Sequence, residues 1–138
     1  MIFIKNIWDK IEPYFLQKEA WGDPKKMSGL LLMLIYDIRY QSGWEMIIHC
    51  GTQGKHCENS YHYKGMAADF HFNPPNSSVN FKHQGIFLME FLTQLQVDNS
   101  CGLGIYPEWN NPGFHLDVRG VKARWLKQNG KHIGINRF

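Results

Sequence analysis

The sequence contains no apolar run of the ~18 residues needed to cross a bilayer; the longest, Leu30 to Tyr36, is far too short. Its start does not read as a signal peptide either. Met1 to Asp9 carries Lys5 and Asp9, and no long apolar region precedes a small-residue cleavage site. Cysteine is scarce: Cys50, Cys57 and Cys101 cannot all pair with one another, and no Cys-x-x-Cys spacing is present. That makes the cysteines a poor metal site and favours reduced, structural thiols in a cytoplasm, although Cys50 and Cys57 bracket one loop and could approach. Acids are missing from Arg119 to Phe138, where six basic residues stand (Arg119, Lys122, Arg124, Lys127, Lys131 and Arg137). The other 9 Lys and Arg face 12 acids, so the formal +3 hides a basic tail on a slightly acidic body. Such a tail could hold an anionic polymer, cell-wall or nucleic acid, but a run of this kind is more often a solvated face. No nucleic-acid-binding motif accompanies it. Repeats, linkers and low-complexity segments are absent too.

What is present suits one domain spanning 1–138. A chain of 138 residues can bury about two-thirds of its unfolded surface, enough for a core without staples. Ile4, Ile7, Trp8 and Ile11 recur at helical spacing and stop near Pro13. Asp23 is a candidate N-cap with Pro24 at the first helical position, and Met27, Leu30, Leu31, Leu34, Ile35 and Ile38 form the stripe of a core helix ending near Ser42-Gly43. Trp44 to His49 reads as a strand, followed by an irregular loop from Cys50 to Asn59. Ser77 or Ser78 can cap a further helix carrying Phe81, Gly85, Leu88, Leu92 and Leu95 and ending near Asp98-Asn99; Gly102 to Tyr106 is then a strand. Helices and strands mix without regular alternation. The predicted class is α+β, with helices packed on one face of a small, mainly antiparallel sheet.

The chemistry centres on Ser60 to Phe72. His62 offers an imidazole nitrogen and Asp69 a carboxylate oxygen, both ordinary zinc ligands. Gly65 argues against a helix between them, and Met66 to Phe72 reads as a buried strand ending at Asn73-Pro74-Pro75, with His62 on a loop that turns back at Gly65. The small side chain of Ala67 leaves room beside a metal. One His-Asp pair is a weak signal. A second stretch strengthens it: Gly113 to Val118 alternates, which puts His115 and Asp117 on one strand face and Phe114, Leu116 and Val118 on the other. His115 supplies a third ligand. Of the other histidines, His71 shares a face with Asp69, while His49, His56, His83 and His132 read as loop or surface residues.

Ser60-x-His62-x-x-Gly65-x-Ala67-x-Asp69, followed by His115-x-Asp117, resembles the zinc D-alanyl-D-alanine carboxypeptidase superfamily, which includes phage L-alanyl-D-glutamate endolysins, murein endopeptidases and the hedgehog signalling domain. The resemblance covers roughly residues 43 to 125, and Arg124-Trp125 also fits its pattern. It implies Zn²⁺ on His62, Asp69 and His115. Three protein ligands leave a position open for catalysis, where a structural zinc is closed by four. It further implies hydrolysis of an amide bond in peptidoglycan peptides, by a carboxypeptidase or an endolysin-like endopeptidase. A phage or prophage lysis enzyme, released to the wall through a separate membrane pore, would need no signal peptide. In the loop where relatives carry Ser-Gly-Tyr-Arg, this chain has Cys50-Gly51-Thr52-Gln53, so Gln53 takes the Arg position and offers a neutral donor to an oxyanion. Ser60 is a candidate donor to substrate, or a cap. Glu108, in the loop before His115, and Asp117 are the candidate general bases; Asp117 could instead orient His115. The alternative is a zinc-stabilised binding domain of the same fold without turnover.

Overall fold

Residues that alternate between two environments build strands with one face for packing and one for chemistry, and six such strands form the sheet here. The computed structural model describes residues 7–54 and 60–135. The expectations placed on Ile4, His56, Cys57 and Arg137 lie outside the described residues. The chain opens with α1 (Ile7–Ile11), which buries Trp8 and Ile11. Next comes α2 (Gly29–Ser42), then β1 (Glu45–Cys50) and β2 (Ala67–Asn73), and α3 (Phe81–Gln94). The remaining strands are β3 (Gly102–Tyr106), β4 (Gly113–Asp117), β5 (Ala123–Gln128) and β6 (Lys131–Gly134).

The helix expected to run on from Asp23 is two pieces. Asp23 caps only a 3-10 turn, Pro24–Lys26; Met27 is extended, and Ser28 caps α2 afresh by accepting from Leu31 N. The break lies where the chain meets the turn that carries His62. Gly65, at φ +70°, packs so closely that a Cβ would sit 2.1 Å from Lys26 O, and Ser28 N donates to Gly65 O at 2.8 Å. A continuous helix would forfeit that bond. Leu30, expected in the core stripe, is exposed on α2. For α3 the cap is Asn80 rather than Ser77 or Ser78, because Asn80 and His83 exchange side-chain bonds to each other's backbone N–H. The helix ends at Gln94, and Asp98–Ser100 forms a separate 3-10 turn.

The sheet order is β1-β2-β4-β3-β5-β6. Every neighbouring pair is antiparallel except β3 and β5, which are parallel. The class is therefore α+β as expected, on a mixed sheet of six strands. Its parallel pair arises because the chain reverses after β4 and lays β5 beyond β3 instead of beside β4. The two strands after Arg119 were not foreseen.

One face of the sheet presents Met46, Ile48, Phe70, Phe72, Phe114, Leu116, Leu103 and Ile105 to α2 and α3, which contribute Leu31, Ile35, Ile38, Leu88 and Leu92 to a single hydrophobic cluster. Period two then sends Asp69 and His71 on β2, and His115 and Asp117 on β4, to the opposite face. The core holds the sheet rigid while its other side remains free for polar groups.

Candidate metal centre

Register brings the predicted ligands together. Asp69 is the direct cross-strand partner of His115. His115 Nδ1 lies 2.9 Å from Asp69 Oδ1, and His62 Nε2 lies 3.2 Å from the same oxygen. A zinc tetrahedron places nitrogen and oxygen donors about 3.3 Å apart, so these separations are already close to those that coordination requires.

Each imidazole is held by its other nitrogen. His62 Nδ1 donates to Gly51 O at 2.8 Å, and His115 Nε2 donates to Asp117 Oδ2 at 2.7 Å. That leaves Nε2 of His62 and Nδ1 of His115 turned to Asp69. Ligating histidines ordinarily have this arrangement, since the second hydrogen bond fixes tautomer and ring plane. Asp117 is fully buried, and its Oδ1 accepts from Gly102 N, Arg119 N and Arg119 Nε while Oδ2 also takes Arg119 Nη2 at 2.7 Å. Burial alone would raise its pKa, but the Arg119 and His115 bonds hold it well below the carboxylate range. Asp69 behaves alike: burial pushes it up, and the bonds to His115 and His62 bring it down to about 2. In His115 burial works against the proton, and the two carboxylates prevail, so its pKa is raised.

The carbonyl that orients His62 belongs to a loop clamped from the N-terminal side. Gly51 lies against Trp21, where a Cβ would come within 2.3 Å of Trp21 O. Thr52 N donates to Trp21 O at 2.7 Å, and Asp23 N to Thr52 Oγ1 at 2.7 Å. Gln53 completes the clamp: its Nε2 donates to Ala20 O at 2.6 Å and its Oε1 accepts from Gly51 N at 2.8 Å. The amide N–H expected to face an oxyanion is thus given to Ala20 O. Ser60 Oγ accepts from His62 N at 3.2 Å and so caps the His62 turn.

The two candidate bases are placed apart. Asp117 sits beside His115, whereas Glu108 is exposed and accepts from Asn129 N in the turn between β5 and β6. Among the described residues no hydrogen bond joins Glu108 to His62, Asp69 or His115.

Cys50 was read as a structural thiol. It belongs to the site instead. The register of β1 on β2 slips between Ile48 and Cys50, and this bulge sets Cys50 opposite Asp69. One donor atom from each of Cys50, His62 and Asp69 lies within 4.8 Å of the others, a group able to hold one metal ion. Burial first, and then the charge of Asp69, push the Cys50 thiol up to about 12. Ordinary alternation with Met46 and Ile48 puts His49 on this face, where its Nε2 and His71 Nδ1 share a hydrogen bond and its ring lies 5.4 Å from that of Trp109. His49 therefore lines the site's edge. Burial depresses the pKa of both histidines.

Aromatic rings frame the donors. The Trp125 ring lies 5.2 Å from His115, its Nε1 donates to Tyr106 Oη at 3.0 Å, and Tyr106 stacks on Trp109 at 4.3 Å. The Arg119 guanidinium lies over Tyr61 and Trp125, at 4.8 and 5.2 Å. Apart from the Arg124-Trp125 pair, nothing in the sequence singled these rings out for the site.

No family model, curated protein or solved structure matches this chain.

Proposed function

We propose that the chain is a zinc peptidase that hydrolyses an amide bond in peptidoglycan peptides, in the manner of a D-alanyl-D-alanine carboxypeptidase or an endolysin-like endopeptidase. The observation that carries the reading is the pinning of two imidazoles, by Gly51 O and by Asp117, so that both aim their remaining nitrogen at Asp69. Nitrogen and oxygen donors in this arrangement suit Zn²⁺. Bound zinc would supply a Lewis acid for the peptide carbonyl.

The chain's own groups do the rest. His62, Asp69 and His115 hold the ion. Asp117 keeps His115 in position, because its buried carboxylate is fully engaged with Arg119, Gly102 and His115 and is poorly placed to take a further proton. That leaves Glu108 as the acid for proton transfer. It stands on the loop before β4, exposed, and accepts a hydrogen bond from Asn129 N. Gln53 and Ser60 support the site by holding the Gly51 loop and the His62 turn. Tyr61, Tyr106, Trp109 and Trp125 offer flat faces on which peptide or sugar can pack.

Peptidoglycan as partner fits a phage or prophage lysis enzyme released to the wall. The basic tail adds less to polymer binding than its count suggests, since Arg119, Lys122 and Arg124 pair with Asp117 and Asp98. No helix among the described residues is long and apolar enough to cross a membrane.

Purified muropeptides incubated with the zinc-loaded protein and read by mass spectrometry test the proposal. A mass change of one hydrolysed amide names the bond. Glu108→Gln should slow turnover by about 10²-fold while zinc content stays at one per chain. A second reading, a metal-stabilised binding domain without turnover, is favoured by one observation: the Cys50 thiol stands within reach of one ion together with His62 and Asp69. Stoichiometric zinc with every muropeptide left intact would select it.

A further inference from the structure

We propose that Cys50 is a displaceable fourth ligand, whose sulfur closes the metal position in the resting protein and leaves when a substrate carbonyl or another oxygen donor takes its place. The inference rests on the metal-binding reading of His62, Asp69 and His115, and it adds the state of the coordination position those three leave open.

Geometry brings the sulfur to the ion. The bulge in β1 sets Cys50 opposite Asp69 across the strand pair. A tetrahedron with one sulfur and three nitrogen or oxygen donors has edges of about 3.3 to 3.6 Å. The Cys50, His62 and Asp69 donors, all within 4.8 Å of one another, reach it by a shift of about 1 Å. The thiol now donates to Gln53 O, at 2.8 Å. On coordination the thiol proton passes to solvent and sulfur gives a lone pair to the metal, so charge and atoms balance; a coordinating thiol is deprotonated outright.

The four donors differ in how firmly they are held. His62 is fixed by Gly51 O, and His115 by Asp117. Asp69 is fixed by its place inside β2 between two paired strands. Cys50 is the last residue of β1, sits at a bulge and leads into the Gly51 loop, and it is only partly buried. A shift of the required size costs least there. Sulfur therefore leaves first when a competing donor arrives, and the other three keep the ion.

Cobalt(II) in place of zinc tests this in the full-length protein. A thiolate-to-cobalt charge-transfer band in the near ultraviolet is expected, absent from Cys50→Ser, which should still bind one cobalt per chain. Titration with acetohydroxamate should abolish the band while cobalt stays bound. A second measurement needs no variant. Iodoacetamide should alkylate Cys50, located by peptide mass, about tenfold or more slowly in the metal-loaded protein than after chelation, and acetohydroxamate should restore the rate.

Cobalt bound without the band, or a band that persists in Cys50→Ser, overturns the assignment of Cys50. A band unmoved by saturating acetohydroxamate overturns its displacement. A protein that takes up no cobalt sinks the metal reading itself, and with it this one.

Discussion

Gly51 presents its carbonyl to His62 Nδ1. It can do so only without a side chain, because a Cβ would lie 2.3 Å from Trp21 O, an unyielding backbone atom. Gly51→Ala must therefore push the loop off Trp21 and tilt the carbonyl away. Its expected effect is a zinc affinity weaker by about 10- to 100-fold, read by competition with a chromogenic chelator. Asp117→Asn should have an effect of the same size through His115, with Asp117→Glu failing to restore affinity because the buried site has no room for another methylene. Unchanged affinity in both would show that these hydrogen bonds do not orient the ligands. Sequence alone sufficed to expect His62, Asp69 and His115 side by side, as the structure has them, since a strand's period of two predicts shared faces. Cys50 was hidden. A bulge shifts side chains by one position, and nothing in Glu-Met-Ile-Ile-His-Cys announces that the alternation slips before its last residue.

At the scale of elements, the least legible part was the C-terminal pair of strands. Ala-Arg-Trp-Leu-Lys-Gln has neither clean alternation nor β-branched residues, and its parallel pairing with β3 is a long-range contact that local pattern cannot encode. What secures β5 is the buried Arg124, whose guanidinium donates to Cys101 O and Asp98 O and pairs with the Asp98 carboxylate. Lys122 binds that carboxylate as well, at 2.8 Å. The Lys122 bond, opposed by partial burial and reinforced by Arg124, holds Asp98 below its ordinary pKa. A folded-state pKa lower than the unfolded one gives stability that is complete above the unfolded value of about 3.9 and is lost as pH falls through the folded value. The wild-type protein should therefore lose stability below about pH 4 that Asp98→Asn does not lose, and at neutral pH the variant should be less stable by about 1.5 kcal/mol. Urea midpoints at three pH values would check both. Equal acid sensitivity in the two proteins would remove Asp98 as a cause. By contrast β3 was legible to the residue and β4 to within one, because short alternating runs bounded by turns suffice to define them, and the start of α2 was misplaced by a tertiary bond from Ser28 to the Gly65 turn.

The whole molecule divides its tasks between the two faces of one sheet, and this decides what metal removal does. The hydrophobic cluster lies on the face covered by α2 and α3 and draws no residue from His62, Asp69 or His115. A small domain whose core is built by its metal unfolds when the ion is taken away. Here the core is complete without it, so the chelated chain should keep its helical and strand circular dichroism. Stability should nonetheless fall. A ligand that binds only the folded state adds RT ln(1 + [L]/Kd), about 4 kcal/mol at a thousandfold excess over Kd. Zinc should therefore raise the Tm well above that of the chelated protein, by an amount that grows with free zinc. His115→Ala should gain less Tm from the same free zinc than the wild type does, since the ion loses one of its donors. Loss of all secondary structure on chelation would mean that the metal organises the fold as well as the site. A Tm indifferent to both zinc and chelator would mean that the paired imidazoles around Asp69 hold no ion, and that their ion-pair contacts are themselves the purpose of the arrangement.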